Sequence, residues 1–315
     1  MPDFIQAVLN LEGLDRFEYE GQRRVLVKWL PGQTSCGDHR HCFLAFLEPA
    51  MSGFSQNFSN ETYLVAGAGG VQMTMLVRDR REYFTDFIER QAKAKGLKVV
   101  LNGSYIDLAF GSAVAVRLGS SALDPAESMP TGQVIQDGLL LAGTSSSGKF
   151  NFSQDTCGVA KFSAGLGNPP ASACSAIGGI APIIIDGLAY GAQNAYKAKV
   201  PAGAPLTGDV VAKFRPFLIQ KSNAMFSKLL SLGNTVGKVA LGYSSINQSL
   251  LMMVQPHGKS GMNANTIRAV FVANKITNAV FLDCSDSATL YYDGKFLVRP
   301  GTDKNEFLSV AIGFK

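Results

Sequence analysis

Residues 278–296, NAVFLDCSDSATLYYDGKF, decide the fold near the end of the chain. The apolar run that opens this stretch predicts a buried strand, and small polar residues follow it from Asp283 to Ser287. Beyond them, apolar residues alternate around Asp293-Gly294, a dipeptide typical of a two-residue hairpin turn. We interpret the polar segment as either a tight turn or the floor of a site. The acidic residue that ends the strand favours a site, because a buried charge requires a partner or a function.

A helix followed by a strand is predicted at residues 81–103. Apolar side chains recur on one helical face over residues 81–95, and Gly96 is suited to end the helix. The strand 97–103 then carries Asn102 near its tip. This unit therefore delivers a polar side chain to the end of a buried strand.

A similar order of elements leads into the opening stretch. A strand at 250–254 is followed by a loop that holds His257, then by a helix, then by the strand 279–283. Two predicted strands therefore end in a polar side chain, the amide of Asn102 and the carboxylate of Asp283.

Short apolar runs separated by turn residues occupy the middle of the chain. They predict strands within residues 132–143, 157–165, 181–187 and 237–244. Helical periodicity over 208–232, interrupted at Pro216, indicates an insertion between two strands. The pattern predicts an α+β fold in which helices pack on a mixed β-sheet. We expect a β-rich N-terminal extension over residues 1–60 and one domain over 61–315, with an insertion at about 200–234.

The composition excludes several classes of protein. Of the 315 residues, 46% are hydrophobic and only 17% are charged, which is typical of a compact globular protein and excludes disorder. The net charge of +5 is spread along the chain, and no basic stripe with interleaved aromatic residues occurs. We therefore expect no nucleic-acid partner, whereas mild basicity suits a small molecule that carries phosphate. The sequence does not indicate the oligomeric state.

The expected compartment is the cytoplasm, with export by another route as the alternative. The N-terminus lacks the basic start and apolar core of a secretory signal. The most apolar stretch, 176–191, is interrupted by Pro182 and Asp186, so we expect no membrane partner. The five cysteines are scattered, which predicts no disulfide framework and at least one free thiol.

Metal-ligating side chains are densest in CGDHRHC, residues 36–42, which holds two cysteines and two histidines. His41 beside Cys42 is poorly spaced for one tetrahedral zinc ion, so an exposed loop is favoured over a zinc site. We expect Cys36 and Cys42 to lie away from the functional site and to be dispensable for it.

The polar segment after Asp283 suggests other chemistry. Asp283-x-Ser285-x-Ser287 matches a metal-ion-dependent adhesion pattern, but too few residues follow it to complete such a domain. A divalent cation held by Asp283 and Asp286 is an alternative, because paired carboxylates with hydroxyls suit hard cations. No cofactor is otherwise expected.

A cysteine nucleophile is the remaining chemical alternative. Cys284 and His257 are the only pair that could form one, since both belong to the last strand-helix-strand unit. A small packed thiol is favoured for Cys284, because free cysteine is commonly buried. No Gly-rich phosphate loop followed by Lys-Ser or Lys-Thr occurs in the chain.

Four blocks in order resemble the phosphodiester glycosidase family. They are LNGSYIDL (101–108), SAIGGIAPIIIDG (175–187), GKVALGYS (237–244) and the stretch 261–290, which runs from a helix through the final strand into CSDSATL. Their order and spacing are similar to those of the family over about residues 60–315. Residues 1–60 and the 200–234 insertion have no counterpart.

The chain departs from the family at the proposed site. Cys284, Ser285 and Asp286 stand where the family has glycines, and Lys238 stands for an arginine. Gln255-Pro256-His257 stands where Asp-Gly is usual. Glycine permits close approach of backbone to substrate, so these replacements favour a changed substrate or lost catalysis.

The resemblance implies cleavage of a glycosidic bond whose leaving group is a phosphate ester. On this basis Asp283 is the expected nucleophile or general base, and Asn102 is the second expected catalytic residue. Asn102 and Ser287 hold sugar hydroxyls or phosphate. Lys238 neutralises the phosphodiester. The further candidates for substrate binding are Gly103, Tyr105, Ser285 and His257, and Asp286 is the candidate metal ligand.

Two functions are consistent with this resemblance. The first is a hydrolase that acts on a glycosyl phosphodiester, with a sugar phosphate or nucleotide-sugar as its small-molecule partner. The second is a binding module on the same fold, which sequesters such a ligand with a degenerate site. A purely structural role in a larger particle is a third alternative.

Overall fold

The computed structural model describes residues 71–105, 128–145, 150–155, 161–187, 235–246, 248–259 and 264–315, together with the backbone of strands at 17–19, 23–29, 42–47, 62–67, 106–108 and 188–189. The described helices are α1 (Phe84–Lys95), α2 (Ala264–Ala273) and α3 (Thr302–Phe307), and a single 3-10 turn spans Ser285–Ser287.

The described strands number 20 and dominate the fold. In chain order they are β1 (Phe17–Tyr19), β2 (Arg23–Trp29), β3 (Cys42–Leu47), β4 (Thr62–Gly67), β5 (Met73–Val77), β6 (Val99–Asn102), β7 (Ile106–Leu108), β8 (Ser128–Pro130), β9 (Val134–Gln136), β10 (Leu139–Ala142), β11 (Phe150–Gln154), β12 (Phe162–Leu166), β13 (Ser175–Ile185), β14 (Leu188–Ala189), β15 (Lys238–Ser244), β16 (Ser249–Gln255), β17 (Asn278–Phe281), β18 (Leu290–Tyr292), β19 (Lys295–Val298) and β20 (Val310–Phe314).

These strands form a large sheet, a smaller sheet and one separate pair. The large sheet has 13 strands in the order β1-β2-β3-β4-β16-β15-β17-β13-β11-β12, with β9 and β14 also paired to β13, and β10 paired to β9. The smaller sheet has the order β19-β18-β6-β20-β5, and β7 pairs with β8. Every pairing among these strands is antiparallel. The α+β class predicted from the sequence is confirmed.

The two sheets enclose the main apolar core, and a helix covers the outer face of the smaller sheet. Alternate residues of β6 show this arrangement, because Val99 and Leu101 belong to the main core whereas Val100 packs with Phe87 and Ile88 of α1. Strand β6 is therefore buried on both faces, as its continuous apolar run predicts.

Helix α2 packs closely against the large sheet at Gly242 of β15. A Cβ atom at this position would lie 2.8 Å from Ile276 Cγ2 and 3.0 Å from Phe271 Cε2. The approach of α2 to β15 thus depends on the absence of a side chain at Gly242.

Several local predictions are confirmed. Helix α1 ends at Gly96, which adopts the left-handed conformation with φ of 66°. Positive φ values at Asp293-Gly294, 43° and 87°, join β18 to β19 in the predicted hairpin. The side chains of the Cys36–Cys42 cluster, the 208–232 helix and the insertion at about 200–234 lie outside the described residues.

The N-terminal strands join the same sheet as the C-terminal half of the chain. Strand β3 pairs with β4 over Cys42–Gly67 to Leu47–Thr62, and β4 pairs in turn with β16. Strands β1 to β3 therefore extend the large sheet through β4. The boundary at residue 60 stays a prediction.

No described helix is long and apolar enough to cross a membrane. The state of the cysteines bears on the expected compartment. Cys174 is disulfide-bonded, whereas Cys284 is a free, buried thiol. The free thiol confirms the prediction from the odd cysteine count. The disulfide is atypical of the reducing compartment that we inferred from the cysteine pattern.

Candidate functional site

The tip of β6 and the turn after β17 meet at one end of the two sheets. Asn102, which is fully buried, donates a hydrogen bond from Nδ2 to the Asp283 carbonyl oxygen at 2.7 Å and accepts one from the Thr289 N–H at 3.0 Å. The Asp283 N–H donates to the Gly103 carbonyl at 3.0 Å. The predicted strand ends are therefore in direct contact although they are 181 residues apart.

Asn102 fixes the turn at both of its ends. Its amide spans the carbonyl that opens the 283–289 segment and the N–H that closes it, so the intervening residues form a closed loop. These contacts occupy the amide oxygen and one amide hydrogen. The role of Asn102 toward a ligand stays a prediction, and its observed role is to hold the turn.

Asp283 carries a carboxyl group with an unusual environment. Its side chain follows β17 directly, and only 8% of the residue is exposed. Burial raises the pKa of Asp283 from 3.8 to about 6, because the charged form loses solvation. The Ser287 hydroxyl, the Lys304 charge and the Cys284 N–H lower this pKa, and the Asp286 charge raises it.

The turn presents a buried hydroxyl beside that carboxylate. Ser287 has no exposed surface. Its Oγ lies close enough to lower the pKa of Asp283, yet it makes no hydrogen bond of normal geometry with a described residue. Most buried hydroxyls have a partner of normal geometry, so that of Ser287 is an exception.

Ser285 retains the backbone conformation of a glycine. Its φ is 66°, in the left-handed region that glycine adopts easily and most other residues avoid. The Ser285 N–H donates to the Gly237 carbonyl at 2.7 Å, which holds the turn against the start of β15. Asp286 is half-buried, and its carbonyl accepts the Gly301 N–H at 2.7 Å.

Gly237 is the point where the turn meets two other segments. A side chain there would clash with the Ser285 carbonyl oxygen and approach the Cβ of His257 at 3.1 Å. The Gly237 N–H donates to Nδ1 of His257 at 3.3 Å. His257 is exposed, so it lies at the rim of the site.

Lys238 is the first residue of β15 and is buried. Its Nζ donates to the Val236 carbonyl at 2.6 Å. Burial lowers its pKa to about 8, and the negative charge of an ionised Cys284 would oppose that change. Lys238 therefore lies near the turn, with its ammonium group held by backbone.

Cys284 behaves as a small buried residue. Its thiol donates to the Leu282 carbonyl at 3.3 Å, and burial raises its pKa to about 12. A thiol with this pKa is not a thiolate at neutral pH. His257 bonds to Gly237 instead, so the structure provides no support for a Cys284–His257 nucleophilic pair.

Tyr105 brings a second buried hydroxyl to the site. Its backbone is fixed on both sides, because its N–H donates to the Gly179 carbonyl at 3.4 Å and its carbonyl accepts the Thr131 N–H at 2.9 Å. The hydroxyl is buried and bonds to no described residue. Burial, with the negative charges of Cys284 and Asp283, raises the pKa of Tyr105 well above its ordinary value.

Lys304 is a site residue that the sequence analysis missed. It lies on α3, which approaches the 3-10 turn, and its positive charge acts on Asp283. It makes no salt bridge with another described residue. A six-residue helix has too little periodicity to reveal this placement in a sequence.

A metal site receives no additional ligands from the described residues. No group of three or more His, Cys, Asp or Glu side chains in this part of the chain could hold a metal ion. Asp283 and Asp286 are thus the only carboxylates that the described turn contributes. The metal role of Asp286 stays a prediction.

Comparisons with known proteins give distant similarities of fold. The chain is similar to the catalytic domain of zebrafish N-acetylglucosamine-1-phosphodiester alpha-N-acetylglucosaminidase, auto-inhibited by its pro-peptide, with 15% identity and a TM-score of 0.48, over 93% of this chain and 82% of that one. It is also similar to a presumed exported protein of Burkholderia pseudomallei, with 12% identity and a TM-score of 0.47, over 81% and 73%. No protein-family model and no curated protein matches the chain. These similarities do not bear on the chemistry of the site.

Proposed function

We propose that the protein is a hydrolase that cleaves the glycosidic bond of a glycosyl phosphodiester. The observation that carries this proposal is the environment of Asp283, a buried carboxylate at a strand end with a pKa of about 6. A hydroxyl without a normal partner, that of Ser287, lies beside it, and the cation Lys304 is near. Such perturbed carboxylates are concentrated at catalytic sites.

A single carboxylate suffices for this reaction because of the leaving group. Most glycosidases pair a carboxylate with a carboxylic acid that protonates the departing oxygen. A phosphate monoester departs without protonation, so the second carboxyl group is not needed. The site then requires one ionised carboxylate at the sugar and positive charge at the phosphate.

Lys304 supplies the more accessible positive charge. It is half-buried and has no salt-bridge partner among the described residues. Lys238 is buried, and its Nζ donates to Val236. We therefore assign phosphate binding to Lys304 first, with Lys238 adding positive potential from beneath the turn.

The substrate class follows from these groups. We assign the anionic phosphodiester to Lys304 and the sugar ring to the surface of the turn above the buried Asp283 carboxyl. We assign to His257, which is exposed, contact with the part of the ligand beyond the phosphate. A sugar phosphodiester or a nucleotide-sugar meets these requirements.

A binding module is the second candidate, and specific observations favour it. The Asn102 amide and the Lys238 ammonium are already engaged by backbone carbonyls, of Asp283 and Val236 respectively. Side chains of Cys284 and Asp286 occupy positions where close backbone approach would require glycine. A site of this kind could retain a ligand without turning it over.

Turnover separates the two functions. The wild-type protein is incubated with a panel of glycosyl phosphodiesters and nucleotide-sugars, and release of free sugar is measured beside ligand binding by calorimetry. Asp283→Asn tests the carboxylate, and Asp293→Asn is the matched control at the hairpin turn between β18 and β19. Sugar release that Asp283→Asn abolishes and Asp293→Asn retains supports the hydrolase, whereas stoichiometric binding without release supports the module.

A further inference from the structure

Two buried hydroxyls near Asp283 have no normal hydrogen-bond partner among the described residues. They are Oγ of Ser287 and the phenolic oxygen of Tyr105. Leaving such a group unpaired costs about 1–3 kcal/mol, and most buried hydroxyls bond to protein or to an ordered water. The Ser287 hydroxyl interacts with the Asp283 carboxyl, and the Asp283 charge acts on Tyr105, so an ordered water between these groups would satisfy both hydroxyls.

The backbone brings the three groups to one place. The Asp283 N–H bonds to the Gly103 carbonyl, and Tyr105 follows two residues later along the same segment. Ser287 belongs to the 3-10 turn that begins directly after Cys284, and Asn102 closes that turn at both ends. The side chains are thus carried by two segments that are bonded to each other.

We propose that Asp283, Ser287 and Tyr105 form a subsite for one water molecule, which Asp283 activates to attack the sugar with inversion at the anomeric carbon. The donors and acceptors match, because a water can donate to the carboxylate while it accepts from both hydroxyls. This inference rests on the proposed hydrolase function and specifies its mechanism.

Burial of the carboxylate favours water over direct attack by Asp283. A nucleophilic carboxylate must contact the anomeric carbon, so the sugar ring must reach it. Asp283 is only 8% exposed, so a water molecule reaches its carboxyl more readily than a sugar ring does. An intervening water extends the reach of the buried base, as in glycosidases that invert configuration.

The step balances with water as the only co-reactant. The water oxygen forms a bond to the anomeric carbon while an oxygen of Asp283 takes its proton. The bond from that carbon to the phosphate oxygen breaks, and its electron pair stays on the phosphate. The products are the sugar with inverted configuration and a phosphate monoester, and the proton on Asp283 then passes to solvent.

The configuration of the first product tests this inference. Proton NMR follows hydrolysis of the best substrate in the panel before mutarotation, and mass spectrometry of the intact protein searches for a glycosyl adduct. We expect the inverted anomer first and no adduct. A retained anomer, or an adduct on Asp283, overturns the inference and leaves the hydrolase assignment standing. Absence of sugar release from every substrate refutes the hydrolase and this inference together.

Two variants test the hydroxyls separately from folding. Tyr105→Phe and Ser287→Ala each remove one hydroxyl, and we expect kcat to fall about tenfold or more with KM changed less than about threefold. Tyr291→Phe is the matched control on the α1 face of the smaller sheet, and Ser153→Ala is one in β11. Site variants as active as these controls overturn the water subsite, as does a rise in KM without a fall in kcat.

Discussion

Replacing Asp283 by Asn is expected to stabilise the protein at neutral pH while it removes activity. The native pKa of Asp283 is about 6 and its ordinary value is 3.8, a difference of ~2 units. Each unit corresponds to about 1.4 kcal/mol, so ionisation of this carboxyl costs the native state up to ~3 kcal/mol. Asn is similar in shape and cannot ionise.

The sign of the pH dependence follows from the raised pKa. Between pH 3.8 and about 6 the native state binds more protons at Asp283 than the unfolded state does. The contribution of Asp283 to stability therefore falls as pH rises through this window. The cost of ionising Asp283 is absent below pH 3.8 and fully present above about pH 6. The neighbouring charges of Lys304 and Asp286 act in opposite directions on this pKa.

Urea denaturation at pH 4, 5, 6 and 7.5 measures this effect. We expect Asp283→Asn to exceed the wild type by about 1–3 kcal/mol at pH 7.5, with the difference disappearing toward pH 4. Asp293→Asn, which changes a half-buried carboxylate at a hairpin turn, should show no comparable pH-dependent gain. The same Asp283→Asn preparation should lose about a hundredfold or more in turnover.

One result would refute the reasoning about Asp283. If the carboxylate serves only to anchor the turn, Asp283→Asn is less stable than the wild type by ~1 kcal/mol at every pH, and activity survives within roughly tenfold. A variant that is destabilised and still active would therefore refute both inferences, that ionisation of Asp283 costs stability and that Asp283 is catalytic. The stability measurement does not depend on a known substrate.

Further predictions concern the charge, packing and redox state of the chain. Lys304→Met should raise KM for a phosphodiester about tenfold with kcat changed little, and an unchanged KM would count against phosphate binding there. Gly242→Ala should destabilise by about 1–3 kcal/mol, because its Cβ would lie 2.8 Å from Ile276, whereas Gly165→Ala, with its nearest contact at 3.7 Å, should be nearly neutral in a thermal melt. Denatured, unreduced protein should show at most three thiols of its five cysteines, because Cys174 is bonded, and a count of five would contradict this.

Sequence patterns located the strand ends because periodicity reports burial. The runs before Asn102 and Asp283 were predicted as buried strands, and both end where expected, within one or two residues. The polar, Phe-containing segment Phe150–Gln154 was not predicted as a strand. Its hydrophilic side chains bond to groups on other segments, such as the Ser153 hydroxyl with that of Ser163 at 3.0 Å and the Asn151 amide with the Gly165 carbonyl at 3.1 Å. A single segment does not reveal these partners.

Contacts within the site could not be derived from local patterns. Lys238 was predicted to face a phosphate, and strand alternation gives the face of a residue but not the depth of its terminal group. In the structure its Nζ instead donates to the nearby Val236 carbonyl, a contact that strand alternation does not predict. The contact of Asn102 with Asp283 depends on the pairing of distant segments, and Lys304 reaches the site only through the placement of α3.

In the turn at 284–286 the backbone keeps the conformation that glycine would adopt, while the side chains differ. Ser285 keeps the positive φ that glycine would adopt, and its N–H is bonded to Gly237, so the path of the backbone does not require glycine here. Strain at a non-glycine residue with positive φ costs of order 1 kcal/mol and persists because the surrounding contacts impose it.

The replacements change the surface of the turn, where Cys284 is buried and Asp286 remains half-exposed. A carboxylate at that position disfavours an anionic phosphate and raises the pKa of Asp283. The side chain that most alters the site is therefore that of Asp286, and Asp286→Gly should bind phosphodiesters more tightly than the wild type while Ser285→Gly leaves binding unchanged and adds stability.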